Sequence, residues 1–238
     1  TFNSINARYR GDEARRQKFA AFALKRLRPV MTQIGWTARK GELETVATLR
    51  EQMIGTLSNL GDAGVIAEAR RRYAAQATDP SAMPGALRKT ILFVVASHAD
   101  AATWEQMRAA AQAEKSQMIK DSYYDLLASP EDKALAQRAL EMALTDEPGA
   151  TNSADMIGTV AARHPELAFD FALANIARVN ERVDVTSRSR YFPRLAQGSA
   201  EKATITKLEQ YANAHLAATS RRDADAAAAN IATRIKVN

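Results

Sequence analysis

LETVATLREQMIGTLSNLGD, residues 43 to 62, carries an apolar side chain at 43, 46, 49, 53, 57 and 60, three or four residues apart. That spacing returns each side chain to one face of a 3.6-residue helix. It fits no strand, whose faces alternate every two residues. A helix is therefore expected over Leu43–Leu60, with Gly61 in the gap behind it and a new helix opening near Asp62.

The same period extends in both directions. Toward the N-terminus, Glu13–Arg28 places Phe19, Phe22, Ala23 and Leu27 on one stripe. Toward the C-terminus, Val65, Ile66, Ala69 and Tyr73 share a face. Leu87, Ile91, Leu92 and Val95 belong to a segment apolar nearly all round, the mark of a centrally buried helix. Trp104, Met107 and Ala111 form a further stripe. Helices then follow over 116–128, 130–144, 154–163 and 165–179, the last with Ala168, Phe171, Ala172 and Ile176 on one face. A short one holds Tyr191, Phe192 and Leu195, and Glu201–Leu216 and Arg222–Ile235 close the series.

Turn chemistry agrees with the period. In Ser129-Pro130-Glu131-Asp132 the serine is expected to cap, the proline to take the first helical position and Asp132 to act as the capping-box acid. Proline also stands near helix starts at Asp79-Pro80, Met83-Pro84 and His164-Pro165. Gly35, Gly41 and Gly149 fall in gaps, and 77–85 and 146–153 read as loops. No run alternates with hairpin chemistry at its ends. The expected fold is all-α: an irregular α-α superhelix, a HEAT- or armadillo-like solenoid of about a dozen short antiparallel helices. A compact irregular bundle is the alternative, and residues 1–238 read as a single helical domain.

Composition narrows the function. The chain has 238 residues, 46% hydrophobic and 25% charged, and no cysteine. Disulfides and thiolate metal sites are excluded, while the compartment stays open between cytoplasm and periplasm or secretion. No apolar run approaches the length of a membrane span, so no membrane partner is expected. A net charge of +6 permits a nucleic-acid partner without requiring one. The opening Thr-Phe-Asn-Ser, without an initiator Met, reads as the start of a fragment or a processed chain.

Catalytic chemistry is sparse. His98, His164 and His215 are far apart, and none has a partner at the i, i+4 spacing of a helical zinc site. His98 with Asp100 has the residue types of an acid–base pair. The plainer reading makes His98 the end of one helix and Asp100 the cap of the next. Arg70-Arg71-Arg72 points three ways around a helix and reads as a solvated face whose alkyl stems pack on neighbours. Ser187-Arg188-Ser189-Arg190-Tyr191 gathers hydroxyls, guanidinium groups and free N–H groups at a helix start, either a carboxylate or phosphate site or an exposed loop.

Read in order, these pieces resemble the C-terminal helical domain of the zinc metallo-aminopeptidases, the aminopeptidase N and endoplasmic-reticulum aminopeptidase superfamily. The carriers are Leu27-x-Pro29, Gly35-Trp36, Gly41-Glu42, Leu49-Arg50, Gly61-Asp62 and Ala69-x-x-x-Tyr73. They continue through Leu87-Arg88-x-x-Ile91, His98-Ala99-Asp100, Trp104, Glu114-Lys115, Leu126-Leu127-Ala128-Ser129 with Asp132, and Leu140. The last is His164-Pro165-Glu166-Leu167-Ala168-Phe169-x-Phe171-x-x-x-Asn175. The likeness spans nearly the whole chain. It departs where His164 replaces an Asn, Phe169 a Trp, and Pro130 follows Leu-Ala-Ser.

The resemblance implies a domain that is not itself catalytic. Its parent would be a zinc aminopeptidase whose His-Glu-x-x-His ligands, distant Glu and amine-gripping Gly-x-Met-x-Asn lie in an upstream domain absent from this chain. Zinc would belong to that domain, with no cofactor in this segment. The expected partners are the upstream catalytic domain, against which this one closes a substrate chamber, and peptide substrates. Arg188, Arg190 and Tyr191 are the expected peptide-binding residues. The rival readings are a stand-alone α-solenoid adaptor with a protein partner on its concave face, and a basic helical binder of nucleic acid; the scattered acids speak against the last, and no nucleic-acid partner is expected.

Overall fold

The computed structural model describes residues 2–238, and among them the chain forms fourteen α-helices, three short 3-10 turns and no strand. The chain is all-α, as its periodicity demands. Contacts divide it into two units, the first ending at His98 and the second beginning at Ala99.

The first unit holds α1 (Phe2–Arg8), α2 (Glu13–Ile34), α3 (Glu44–Asn59), α4 (Ala63–Ala75) and α5 (Gly85–Ser97). α3 packs on α2, α4 and α5, and α4 packs on α5. Its core is Ala23, Ile54, Leu57, Ala69, Ile91 and Val94, all fully buried. Truncating one of the larger of these to alanine typically costs about 2–5 kcal/mol. α1 lies where no stripe was read. Its place is set by rings, with Phe2 and Tyr9 at 6.2 and 6.0 Å from Phe19, and by the Asn6 Nδ2 donating to the Asn59 carbonyl at 3.3 Å.

Three expectations in this unit are corrected. α2 does not stop at Arg28 but runs through Pro29 to Ile34. The proline removes one backbone donor, and the carbonyl it would have reached, on Lys25, belongs to an exposed residue that water can satisfy. In α3 the buried face is rotated from the apolar stripe. Leu43 is 72% and Leu49 38% exposed, whereas Arg50 is buried at 2%. Phe22 is likewise 47% exposed, its ring covered by the Arg26 guanidinium 3.8 Å from its centroid.

The Arg50 burial has a polar cause. Its Nε donates to the Gly35 carbonyl at 2.8 Å, and its Nη2 donates to the Ile34 carbonyl at 3.1 Å and to the Glu42 carboxylate at 2.6 Å. It thus satisfies carbonyls at the end of α2, where Gly35 turns the chain with φ +65°. Asp62 closes the next joint. It caps α4 by accepting the Val65 N–H at 2.9 Å and accepts Arg28 Nε at 2.6 Å.

The Arg70–Arg72 run is held by the unit itself. Arg70 donates to the His98 carbonyl, Arg71 and Arg72 bind Glu68, and Arg72 sits 5.1 Å from the Trp36 ring. His98 ends α5, with its Nε2 3.0 Å from Ser58 Oγ.

The second unit holds α6 (Ala101–Ala113), α7 (Gln117–Leu127), α8 (Lys133–Ala143), α9 (Ala150–Arg163), α10 (Pro165–Ala174), α11 (Ile176–Arg182), α12 (Arg188–Ala196), α13 (Lys202–His215) and α14 (Arg222–Val237). Asp100 caps α6 through the Thr103 N–H at 2.8 Å. α6 packs on α7, α7 and α8 on α9, and α9 on α10. α10 packs on α12, which meets α14, itself paired with α13. Most helices thus pack on the next or the next-but-one helix in sequence, as in a stack of pairs.

Three boundaries differ from expectation. Asp132, not Ser129, caps α8, accepting the Leu135 N–H at 2.9 Å. Ser129 instead ends α7, its Oγ donating to the Leu126 carbonyl at 2.7 Å, which leaves Pro130 in the connection. α9 starts at Ala150, directly behind Gly149 at φ +80°, so the loop expected to reach Ser153 is shorter. The helix expected over Pro165–Val179 breaks at Asn175, at φ −121° and ψ 30°. There the side-chain Nδ2 donates to the Phe171 carbonyl at 2.9 Å and competes with continuation of the helix.

Candidate functional site

The second unit carries a groove of about 780 Å³. Its floor is one face of α9, where Ala154, Asp155, Gly158, Thr159 and Ala162 recur at helical spacing. Small residues there leave space, and a Cβ built on Gly158 would meet no atom within 4 Å. α7 contributes Asp125, the end of α11 contributes Arg182, and α12 contributes Arg190, Tyr191 and Arg194.

α12 is positioned by its apolar side. Phe192 is fully buried, stacked at 4.8 Å on Tyr211, which in turn stacks on His215 at 5.2 Å. With Phe192 and Leu195 in the core, helical geometry turns Arg190 and Arg194 outward together, four residues apart. Arg182 and Arg178 both donate to the Leu144 carbonyl, at 3.3 and 2.7 Å, which caps the end of α8 and fixes the groove's edge.

Of the three residues singled out from the sequence, Arg190 and Tyr191 line the groove and Arg188 does not. Arg188 donates its Nε to the Val183 carbonyl at 3.2 Å. Arg190 is exposed and donates to Ser187 Oγ at 3.1 Å. Tyr191 donates its hydroxyl to the Ala154 carbonyl at 2.8 Å, and burial pushes its phenol well above the ordinary tyrosine range. The hydroxyl is committed to α9, so the ring is the part that faces the groove.

The acids divide into two kinds. Asp184 is occupied by Thr186, whose hydroxyl and backbone N–H hold its carboxyl below the usual range. Asp125 is pushed up instead, by desolvation first and then by the neighbouring Asp155 and Asp121 carboxylates. Sequence reading missed Asp125, Asp155, Arg182 and Arg194. Each sits among polar residues of an amphipathic helix, where a groove-lining charge and a solvated one look alike.

Among the described residues no group of three or more His, Asp or Glu side chains is placed to hold a metal ion, and no helix is long and apolar enough to cross a membrane. His164, the remaining sequence candidate, places its Nε2 3.0 Å from the Pro130 carbonyl and so ties the α7–α8 connection to the start of α10. One family model, described as the ERAP1-like C-terminal domain, matches residues 1–233.

Proposed function

The chain belongs to the ERAP1-like C-terminal domain family, and we propose that it serves as the accessory domain of a zinc-dependent aminopeptidase. In this reading it closes the substrate chamber against an upstream catalytic domain and touches the distal part of peptide substrates. It performs no hydrolysis, and the zinc belongs to the other domain. The family match over 1–233 is the observation that carries the proposal.

The groove on α9 and α12 supplies the place for peptide contact. Arg190 and Arg194 present guanidinium groups suited to a peptide carboxylate, and the Tyr191 ring offers an apolar face. Arg188 adds its charge from the first residue of α12. A chamber that excludes water strengthens such pairs.

The test uses the chain itself and its coding context. The expected result is that the chain alone hydrolyses no aminoacyl arylamide and holds no stoichiometric zinc, and that the coding sequence upstream specifies an in-frame His-Glu-x-x-His. Zinc bound at stoichiometry by this chain's own side chains, or aminopeptidase activity in it, contradicts the proposal.

A further inference from the structure

We infer that the groove selects peptides carrying a lysine or arginine side chain near the end that docks in it, and that Asp125 and Asp155 read that side chain. The inference rests on the reading of the groove as a peptide surface and adds to it the class of peptide.

Both signs of charge line this groove, and of its acids Asp184 is the one on which the Arg190 charge acts. Asp125 and Asp155 make no ion pair and no side-chain hydrogen bond among the described residues. Both line the groove, from α7 and α9, and the Asp155 carboxylate disfavours a charge on Asp125. Among the described residues Arg194 has no acid bonded to it, and the Arg190 side chain hydrogen-bonds a serine hydroxyl. The Arg182 Nε is buried without an acceptor, and its one acid, Asp146 at 3.7 Å, is fully solvent-exposed.

Other acids of the unit are used differently. Glu147 is closed by Arg108 at 2.5 Å, Glu131 by Arg163 at 2.8 Å and Asp170 by Lys207 at 2.6 Å. Carboxylates without a cation partner, in a groove that also presents arginines, suit a ligand that brings a cation to the acids and an anion to the arginines.

The chemistry of that cation follows from the donor set. Calcium takes about six to eight oxygen ligands, and no group of three or more metal-ligating side chains exists here among the described residues. An ammonium offers three N–H donors and a guanidinium five, which the four oxygens of two carboxylates can accept. A peptide places such a group and a carboxylate on one chain, and a volume of about 780 Å³ lies within the roughly 300–1,000 Å³ of ligand pockets.

The experiment measures fluorescence anisotropy of two labelled peptides with free C-termini, identical except for lysine or norleucine beside the terminal residue. They are titrated against the chain and against its Asp125→Asn/Asp155→Asn variant. Both aspartates are exposed, and far-UV circular dichroism verifies that the variant is folded. The expected result is about tenfold tighter binding of the lysine peptide, equivalent to ~1.4 kcal/mol, with that preference lost in the variant. Equal binding of the two peptides by the unmodified chain overturns the inference and leaves peptide contact standing. A lysine preference that survives in the variant also overturns it. Binding of neither peptide removes both the inference and the peptide-contact reading beneath it.

Discussion

Arg50 and Glu42 form a closed pair, Nη2 to Oε2 at 2.6 Å, at the joint between α2 and α3. The same guanidinium holds the Ile34 and Gly35 carbonyls, so one buried cation serves both a carboxylate and a helix end. Gly35, Glu42 and Arg50, scattered in sequence, are one structural object.

Replacing that cation is therefore costly. Arg50→Met is expected to lose about 3 kcal/mol or more, because it strips donors from two carbonyls and a carboxylate. Glu42→Gln keeps an acceptor for Arg50 and loses less. Urea unfolding of both variants checks the order; an Arg50→Met midpoint equal to that of the unmodified chain contradicts it.

Trp104 plays the corresponding part in the second unit. It is buried, donates its Nε1–H to the Leu127 carbonyl at 2.9 Å, and lies under the Arg138 guanidinium at 4.5 Å from its ring. Trp104→Phe leaves the carbonyl unpaired and is expected to cost about 1–3 kcal/mol. Trp104→Ala is expected to cost about 3–5 kcal/mol. Chemical denaturation distinguishes the two; a Phe variant as damaging as Ala would show that the hydrogen bond and not the packing volume dominates.

These joints also mark how far the sequence could be read. Helix type and order follow from local spacing, as does the Asp100 cap, whose acid stands just before the helix it opens. The Trp104 stripe was legible because its partners lie on the same helix. Arg50 and Leu49 were not, since period alone does not say which part of a stripe faces the core, and the acceptors that draw Arg50 inward sit on another element. Pro29 and Asn175 invert the usual breaker rule for the same reason. Pro29 is tolerated where solvent meets its orphaned carbonyl, and Asn175 ends a helix by finding a local carbonyl. Of the groove, Arg190 and Tyr191 were legible from one dense cluster, whereas Asp125 and Asp155 come from helices about thirty positions apart.

Acid weakens the second unit at a definable contact. The Arg108 hydrogen bond, opposed by desolvation, holds the Glu147 carboxyl below the usual range. Its folded pKa lies under its unfolded one, so the stabilisation is full above the unfolded value and drains as pH falls through the folded one. Glu147→Gln is expected to lose about 1 kcal/mol at neutral pH, a value discounted for the partial exposure of both partners. The gap to the unmodified chain closes as the pH is lowered from about 5. A gap independent of pH contradicts the assignment.

Gly158 separates stability from occupancy of the groove. It lies inside α9 with no neighbour for an added Cβ, so Gly158→Ala is expected to stabilise by about 0.5–1 kcal/mol. Gly158→Phe is expected to leave folding intact while filling the groove and abolishing peptide binding. Thermal unfolding and anisotropy check the two halves, and undiminished binding by the Phe variant moves the peptide surface elsewhere.

The most direct measurement of the proposed accessory role compares kcat/KM of the aminopeptidase proposed as the parent and of its Arg190→Ala variant on an aminoacyl arylamide and on a long peptide. Among the described residues the exposed Arg190 side chain hydrogen-bonds Ser187 and no other residue, so its removal is expected to leave the fold intact. The account predicts a loss of about tenfold on the long peptide with the arylamide rate essentially unchanged. Equal losses on both substrates, or no loss on either, contradict it.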